Sequence, residues 1–309
     1  MVQAPHLKRE APLIVIAGPT ASGKSALALK LAKQIGGQIV SADSMQIYRR
    51  MDIGTAKPTA EEREEVVHHM IDIAEPREDF SVGLYRAKAD PVIDKLSANG
   101  IPPIVCGGTG LYINALLFEH AFGGGTRDDG YRELLWERAA KEGNTALYET
   151  LMKEDPESAA GLHPNDVKRV IRALEILRLT GRKKSEQTDA EKPPRRGYRL
   201  CVLTLPREVL YERINFRVDR MIRDGLIEET ARLKAEGLNE GHLSMKAIGY
   251  AEVLRYLNGQ LKKENMLELI KQNTRNYAKR QITYFKKMKG AVFLDAEATT
   301  ANGILSSAE

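Results

Sequence analysis

The 309-residue chain is long enough for one large α/β domain carrying an insertion, and its charge and hydrophobic content exclude general disorder. Lysine and arginine exceed aspartate and glutamate by 47 to 42, which permits a polyanionic partner without requiring one. The two cysteines, Cys106 and Cys201, lie in apolar runs without Cys-x-x-Cys spacing, which argues against a disulfide framework and a cysteine zinc site. The polar N-terminal residues and the lack of a membrane-length apolar run lead us to expect a cytoplasmic protein.

The first predicted elements enclose a phosphate-binding turn. An apolar strand at 13–17 and a helix-favouring run flank a segment with the spacing G-x-x-x-x-G-K-[ST], namely Gly18-Pro19-Thr20-Ala21-Ser22-Gly23-Lys24-Ser25. Glycines let backbone N–H groups converge on anionic oxygens, Lys24 and the helix N-terminus add positive charge, and the Ser25 hydroxyl suits Mg²⁺. The motif predicts a phosphorylated ligand, and by itself it suggests ATP binding and phosphoryl transfer. A simple glycine turn is the less favoured alternative.

The pattern of strand, loop and helix then repeats, which indicates a parallel sheet flanked by helices. A second strand at 38–42 delivers Asp43 to its carboxyl end, and a third at 101–106 ends in the glycine turn 107–110. Ligands bind at this edge in open α/β sheets. Asp43 could bind Mg²⁺, cap a turn or act as a general base, and the glycine turn either touches the ligand or serves only tight packing.

Residues 119–198 form a predicted helical insertion between the two parts of the α/β core, residues 1–118 and 199–309. Glycine-rich and proline-rich stretches at 122–126 and 191–197 bound it, and it shows helical periodicity without buried strands. From 167 to 184 it has seven basic residues and one acidic one. This segment is either a solvated helix face or a surface that binds a polyanion.

Beyond the insertion, the strand pattern resumes at Tyr198, and Pro206 begins a helix predicted to run to about residue 236. Arg213, Arg217 and Arg220 fall on one face of this helix, at i, i+4 and i+7. They either form ordinary salt bridges with acidic residues of the same helix or stabilise a departing phosphate group.

A basic and aromatic run occupies residues 271–290. It has seven basic residues and no acidic ones, with Tyr277, Tyr284 and Phe285 between them. Basic side chains suit phosphates and aromatic rings suit unstacked bases, so this run and the basic segment of the insertion make RNA or DNA a candidate partner. The apolar run that ends at Asp295 is interpreted as a last strand rather than a magnesium-binding Walker-B strand, because no helix or switch-like loop of adequate length follows it.

Taken together, the motifs resemble those of the tRNA dimethylallyltransferases over nearly the whole chain. The resemblance rests on GPTASGKS at 18–25, DSMQIYRRMDIGTAKP at 43–58, DIAEPREDFSVGLY at 72–85, GGTGLY at 107–112, HPNDVKRVIRALEI at 163–176, and IGYAE and AKRQITYF nearer the end. It implies a P-loop NTPase-like α/β fold whose insertion contacts the anticodon stem-loop of tRNA. The implied reaction moves a dimethylallyl group from dimethylallyl diphosphate to N6 of adenosine 37, 3′ to the anticodon, with Mg²⁺ as cofactor and release of pyrophosphate. We expect the enzyme to act as a monomer.

The resemblance also implies roles for particular residues. The P-loop, Gly18 to Ser25, would hold the diphosphate, with Ser25 on Mg²⁺ and Lys24 and Arg217 on the leaving group. Thr20 and Asp43 would contact the adenine N6, and Asp43 would be the general base. The implied tRNA contacts are Asp43, Ser44, Met45, Gln46, Thr109, Arg132, Lys168, Arg169, Val170, Ile171, Arg172, Lys246, Ala247, Ile248, Gly249, Tyr250 and Ala251.

Two other interpretations use the same motifs. A small-molecule or nucleotide kinase would share the P-loop and the arginine-bearing helix and would use Asp43 as base toward a hydroxyl. An RNA-binding module could retain a vestigial P-loop without catalysis.

Overall fold

The computed structural model describes residues 12–119, 128–186 and 193–306. The chain forms two compact units: the α/β unit, made of Met1–Leu117 and Pro194–Glu309, and the helical unit, Phe118–Pro193. The helical unit overlaps the insertion predicted at 119–198. The N-terminal residues 1–11, the glycine-rich stretch at 122–126 and residues 191–192 of the second predicted boundary lie outside the described residues.

The sheet of the α/β unit has six parallel strands in the spatial order β3-β2-β4-β1-β5-β6. In chain order they are β1 Leu13–Ala17, β2 Gln38–Ser41, β3 His68–His69, β4 Pro103–Gly107, β5 Tyr198–Thr204 and β6 Ala291–Asp295. The predicted α/β fold with a P-loop-like parallel sheet is confirmed. Because all carboxyl ends lie at one edge, the P-loop after β1, Asp43 after β2 and the glycine turn after β4 come together there.

The described helices flank the sheet or form the helical unit. In chain order they are α1 Lys24–Ile35, α2 Ala60–Glu65, α3 Val82–Ala98, α4 Gly110–Leu117, α5 Asp129–Glu142, α6 Asn144–Glu154, α7 Pro156–Ala160, α8 Val167–Thr180, α9 Arg207–Arg223, α10 Leu226–Ala235, α11 Tyr250–Leu257, α12 Lys263–Phe285 and α13 Ala301–Ser306. Helices α5 to α8 belong to the helical unit. None of the described helices combines the length and the apolar character needed to cross a bilayer.

The packing of α1 holds the phosphate-binding turn against the sheet. The buried face of α1 contributes to a core shared with β1 and β4, and consists of Leu27, Ala28, Leu31 and Ala32. Gly23, immediately before the helix, has a left-handed φ of +87°, a conformation that costs glycine little. The start of α1, where backbone N–H groups are free to bind an anion, is therefore fixed relative to the strand edge.

The prediction of one continuous helix from Pro206 to about residue 236 is wrong, because the structure has two helices there. Helix α9 ends at Arg223 and α10 begins at Leu226. Gly225 between them has a φ of +104°, which interrupts the helical hydrogen-bond pattern.

Strand β6 lies at the edge of the sheet, separated from β1 by β5. Asp295 at its end is therefore distant from the P-loop strand in the sheet order, in agreement with the interpretation of a last strand. On its other side β1 is paired with β4, whose final residues are Cys106 and Gly107. A Walker-B-like carboxylate is thus not supplied by either strand that pairs with β1.

The helical unit has its own hydrophobic core and no strand within its described residues. Val167, Val170, Ile171 and Leu174 are buried in that core, as the apolar stripe of this helix predicts. The stripe leaves Lys168 and Arg169 exposed on α8.

Candidate active site

The P-loop is shaped by close backbone packing and by a glutamine from a distant helix. Gly18 has a φ of +150°, and an added Cβ would lie 2.9 Å from the Leu203 carbonyl oxygen, so a side chain does not fit there. The Thr20 backbone N–H donates to Gln281 Oε1 at 2.9 Å, and Gln281 Nε2 donates to the Gly108 carbonyl oxygen at 2.9 Å. Gln281 therefore ties the P-loop to the glycine turn after β4.

A cavity of about 330 Å³ lies at the carboxyl edge of the sheet. Its polar lining includes five of the residues expected at the reaction centre, namely Thr20, Lys24, Ser25, Asp43 and Arg217. Its apolar lining includes Ile39, Met45, Ala56, Cys106, Val218, Met221, Ile248 and Ile270. A cavity with polar groups on one side and apolar groups on another suits a ligand that has a charged and a hydrocarbon part.

A second, larger cavity of about 1010 Å³ shares Lys24, Ser25 and Arg217 with the first. Most of its other cations already have carboxylate partners. Lys57 pairs with Asp52 and Asp72. The corresponding pairs of three further cations are Arg50 with Glu75 and Glu236, Arg63 with Asp72, and Arg220 with Asp224. The positive charge available to an anion therefore concentrates where the two cavities share residues.

Lys24 and Arg217 supply that charge. Burial lowers the pKa of Lys24, and it also lowers the pKa of Arg217, while the charge of Asp43 opposes both shifts. Arg217 Nη1 donates to Thr20 Oγ1 at 3.0 Å, and Lys24 Nζ donates to the Pro19 carbonyl oxygen at 3.3 Å. Within the described residues neither cation forms an ion pair. An anion that enters the cavity would therefore compensate both cations for the water contacts that they lose on burial.

Asp43 has one carboxylate oxygen that is held and one that is available. Oδ1 accepts from the backbone N–H of Met45 at 2.9 Å and of Gln46 at 3.4 Å. Within the described residues Oδ2 has no hydrogen-bond partner, and the side chain lines the smaller cavity. Asp43 can therefore accept a proton from a ligand without giving up the contacts that orient it.

A magnesium ion fits the donors at the shared edge of the two cavities only if the ligand supplies further oxygens. The Ser25 hydroxyl lines both cavities. Among the described residues no cluster of three or more histidine, cysteine, aspartate or glutamate side chains could enclose a metal ion. The neighbouring Cys106 thiol is kept protonated, since burial raises its pKa to about 11. This donor set matches Mg²⁺ bound through one protein oxygen, water and phosphate.

Comparison with known proteins decides the family. A family model described as IPP transferase matches residues 46–288, and one described as isopentenyl transferase matches residues 11–75. The chain belongs to the IPP transferase family. This confirms the resemblance noted from the motifs.

Relatives of this IPP transferase match it over almost its whole length. A tRNA dimethylallyltransferase of Pelotomaculum thermopropionicum is 48% identical over 290 residues, which cover 94% of this chain and 92% of the relative. The structure of the tRNA isopentenylpyrophosphate transferase of Bacillus halodurans has a TM-score of 0.70 at 41% identity, over 96% of this chain and 94% of that one. A eukaryotic dimethylallyltransferase acting on tRNA has a TM-score of 0.79 at 33% identity, over 92% of this chain and 74% of that one.

Within the α/β unit of this IPP transferase, the residues predicted to contact tRNA have different environments. Asp43, Ser44, Met45 and Gln46 all line the smaller cavity, as do four residues of the later segment, Lys246, Ala247, Ile248 and Gly249. Thr109 Oγ1 accepts from the Ser44 backbone N–H at 2.9 Å. Tyr250 is fully buried, and the neighbouring Ala251 is partly buried and does not line that cavity. The Tyr250 ring therefore has a structural position rather than one that could meet RNA.

In the helical unit, too, some of the residues predicted to contact tRNA are buried and others are exposed. Val170 and Ile171 are buried in its core, so their side chains cannot reach RNA. Arg132 and Arg172 are partly exposed and donate to the fully buried Glu175. Among the predicted tRNA contacts of this unit, Lys168 and Arg169 are the exposed cations, and Arg169 pairs with Asp166 at 3.0 Å.

Of the three arginines on α9, the structure places one beside the P-loop at the smaller cavity. Arg217 lines both cavities. Arg213 pairs with Glu297 at 2.7 Å and Arg220 with Asp224 at 3.2 Å. The salt-bridge alternative thus holds for Arg220, whose partner directly follows the same helix, and Arg213 pairs with a residue from another part of the chain. The role of Arg217 toward a departing phosphate stays a prediction.

The aromatic residues of α12 pack within the fold and do not form a base-stacking surface. Phe285 is fully buried. The Tyr284 ring lies against Gly110, where an added Cβ would clash with it. Tyr277 lines the smaller cavity, and burial raises its pKa to about 12. Of the three rings that the sequence suggested for unstacked bases, Tyr277 alone lines the smaller cavity, whereas Phe285 and Tyr284 pack against other parts of the fold.

Sequence reasoning missed Gln281 as a residue that shapes the site. It occurs in the motif AKRQITYF, and the basic residues of this motif predict RNA binding rather than a role in shaping the P-loop. The glycine turn 107–110 is explained largely by packing, because an added Cβ at Gly107 would clash with the Ala42 backbone and one at Gly108 with Gln281. Gly107 also lines the smaller cavity.

Proposed function

We propose that this IPP transferase moves a dimethylallyl group from dimethylallyl diphosphate to N6 of adenosine 37 in tRNA and releases pyrophosphate. The observation that carries the proposal is the placement of Asp43, Lys24 and Arg217 on one partly apolar cavity. The names of the relatives from Pelotomaculum thermopropionicum and Bacillus halodurans support the substrate class.

The residues at the cavity could stabilise the two changes in charge that the reaction involves, which are the loss of a proton from N6 and the negative charge on the leaving diphosphate. An exocyclic adenine amine is a weak nucleophile because its lone pair is delocalised. As the N6–carbon bond forms, one proton leaves N6, and Asp43 Oδ2 is the available acceptor. Thr20, whose hydroxyl accepts from Arg217, lies on the same cavity and would orient the amine.

The second charge develops on the leaving group. The bond between the allylic carbon and the diphosphate oxygen breaks, and its electron pair stays with the diphosphate. Backbone N–H groups of the P-loop, Gly18 to Ser25, with Lys24 and Arg217, would bind that charge. Mg²⁺, which Ser25 would help to hold, supplies additional charge neutralisation on the phosphate oxygens when bound.

Reaching this cavity requires an unstacked base. Asp43 and Thr20 line a cavity, and a base that is paired or stacked in an RNA helix could not present its N6 to them. We infer that the target adenosine is flipped out of the anticodon loop. The helical unit would bind the stem-loop through Lys168, Arg169 and the pair Arg132 and Arg172. The enzyme would act as a monomer, since one chain supplies all of these groups, and we expect it to act in the cytoplasm.

Radiolabelled dimethylallyl diphosphate offered with unmodified tRNA tests the proposal. We expect label in the tRNA and none when adenosine 37 is replaced by guanosine. ATP-dependent phosphorylation of a small acceptor without prenyl transfer would instead identify a kinase. Retention of tRNA without either reaction would identify an RNA-binding module.

A further inference from the structure

Glu229 on α10 is a buried carboxylate that is held by neutral donors. It is 3% exposed, and within the described residues it forms no ion pair. Its Oε2 accepts from the backbone N–H of Asp52 and of Ile53, each at 3.0 Å, and its Oε1 accepts from the Gly54 N–H at 3.3 Å. The Tyr250 hydroxyl donates to Oε1 at 2.5 Å. Four donors of this kind can compensate the lost hydration of a carboxylate.

The backbone groups that Glu229 binds belong to a loop that forms one wall of the smaller cavity. Gly54, Thr55, Ala56 and Pro58 line that cavity. The loop lies directly on the Tyr250 ring, because an added Cβ at Gly54 would clash with it. Ala56 has a left-handed φ of +48°, a conformation that alanine keeps only where its surroundings hold it. The path of this loop therefore depends on the contacts made by Glu229.

Gln46 connects the same loop to Asp43. Its side-chain Nε2 donates to the carbonyl oxygens of Thr55 at 3.3 Å and of Ala56 at 3.2 Å. Its backbone N–H donates to Asp43 Oδ1 at 3.4 Å. A continuous set of contacts thus runs from Glu229 through the loop and Gln46 to the held oxygen of Asp43.

We propose that Glu229 is a positioning residue for Asp43. By fixing residues 52–54, it sets the place of the Thr55 and Ala56 carbonyl groups, and Gln46 carries that placement to the carboxylate. The inference rests on the proposed function, because it assumes that Asp43 accepts the N6 proton. In this proposal Glu229 contacts neither substrate. A change at Glu229 should therefore alter the rate of the chemical step more than the affinity for the diphosphate.

Glu229→Gln tests the proposal in the full-length enzyme. The amide places an NH₂ group against the backbone donors and should displace the loop. We expect kcat with saturating tRNA and dimethylallyl diphosphate to fall at least about tenfold, since small misplacements of reacting groups have effects of this size. The KM for dimethylallyl diphosphate should change less than kcat, because the P-loop, Lys24 and Arg217, which would bind the diphosphate, keep their places.

A double-mutant cycle with Gln46→Ala separates positioning from general weakening. If Glu229 and Gln46 act through one loop, the variant carrying both changes should be no slower than the slower single variant. Additive losses, or a loss confined to KM, would overturn the proposal. If Glu229→Gln does not fold, Tyr250→Phe removes only the hydroxyl donor, and an unchanged kcat in that variant would overturn it as well.

Asp90→Asn is the matched control for lost stability. Asp90 on α3 has a largely buried carboxylate that pairs with Arg195 at 2.8 Å and Arg196 at 2.9 Å, and it lines neither of the two cavities. We expect this variant to melt at a lower temperature but to keep the wild-type kcat below that temperature. Equal losses of kcat in Asp90→Asn and Glu229→Gln would contradict the inference. Failure of the wild-type enzyme to prenylate tRNA would contradict the proposed function instead.

Discussion

Glu229 in the α/β unit and Glu175 in the helical unit are both buried, but their partners differ in kind. Glu229 binds backbone N–H groups and a hydroxyl, all neutral, and so fixes the path of a loop. Glu175 binds the guanidinium groups of Arg132 at 2.7 Å and Arg172 at 2.5 Å, whose side chains remain 27% and 31% exposed. One carboxylate therefore shapes a cavity wall, and the other holds two cations near the protein surface.

The difference shows how each unit uses positive charge. At the smaller cavity, Lys24 and Arg217 have no carboxylate within ion-pair distance among the described residues, which leaves their charge for an anionic ligand. In the helical unit, a buried carboxylate orients two arginines whose side chains remain partly exposed. The comparison predicts that changes in the α/β unit affect the chemical step and that changes in the helical unit affect RNA binding or the stability of that unit.

The largest effect is expected at Asp43. Replacing it with alanine removes the proposed proton acceptor and should lower the single-turnover rate by about 10²- to 10⁴-fold. The affinity for tRNA, measured by filter binding, should stay nearly unchanged because the cations of the helical unit are intact. An active Asp43→Ala enzyme would refute the role of Asp43 as proton acceptor. It would also contradict the expectation that this change in the α/β unit affects the chemical step.

The next largest effect is expected at Arg217. Arg217→Gln removes a buried cation from the leaving-group side and should lower kcat by about 10²- to 10³-fold. Arg213→Gln is the matched control, because it lies on the same helix and pairs with Glu297. It should keep kcat within about twofold. Equal losses in both variants would show that the helix as a whole, and not the position of Arg217, matters.

A smaller effect, on stability alone, is expected at Asp155 in the helical unit. Burial opposes the shift, but hydrogen bonds from Ser158 and Ser185 hold the pKa of Asp155 at about 2. The folded pKa lies below the unfolded value of about 3.9, so the contribution is present above about pH 4 and is lost as the pH falls toward 2. Asp155→Asn should therefore lower the free energy of unfolding of this unit by about 2 kcal/mol at neutral pH.

Far-UV circular dichroism can follow unfolding, together with the fluorescence of the one tryptophan of the chain, Trp136, which lies half-exposed on α5 of the helical unit. Urea titrations at several pH values should show the difference between wild type and Asp155→Asn shrinking below about pH 4. Asp166→Asn, which breaks only the surface pair with Arg169, should change stability by less than about 1 kcal/mol. Equal destabilisation by both substitutions would contradict the prediction.

The smallest effect is expected at Lys168. If it contacts one phosphate, Lys168→Gln should weaken tRNA binding a few-fold and reduce the slope of log Kd against log salt by about 0.7 to 0.9. Lys141→Gln is the control, because Lys141 is an exposed lysine of the same unit outside the predicted contact segment. Single-turnover rates at saturating tRNA should not change in either variant. The same slope for both would mean that the predicted segment does not define the RNA surface.

Most of the scaffold of the site could be predicted from short stretches of sequence. The P-loop needs only a strand, a glycine turn and a helix start within about twenty residues. The alternation of strands and helices indicates a parallel sheet, and parallel strands place Asp43 and the P-loop at one edge without further information. The family could be recognised because several such stretches occur together.

Other features could not be predicted because they depend on contacts between distant residues. Glu229 binds amides 175 to 177 residues away, and the Thr20 N–H reaches Gln281 across 261 residues. In sequence, Tyr250 and Phe285 look suited to RNA, yet both are buried because other parts of the fold pack on them. The break between α9 and α10 at Gly225 could not be predicted from the local sequence, since one glycine in a helical run does not reveal the φ that it will adopt.

The sequence by itself therefore determined the phosphate cradle and the alternation of the main strands and helices, because these follow from local backbone preferences, and it determined the family, because several motifs occur together. Tertiary structure decided which charged side chains remain available. It left Lys24, Arg217 and one oxygen of Asp43 open to the smaller cavity and engaged Glu229 and Gln46 with the loop at 52–56. Burial and hydrogen-bond partners set the chemistry of an ionisable group, and both come from parts of the chain that meet only on folding.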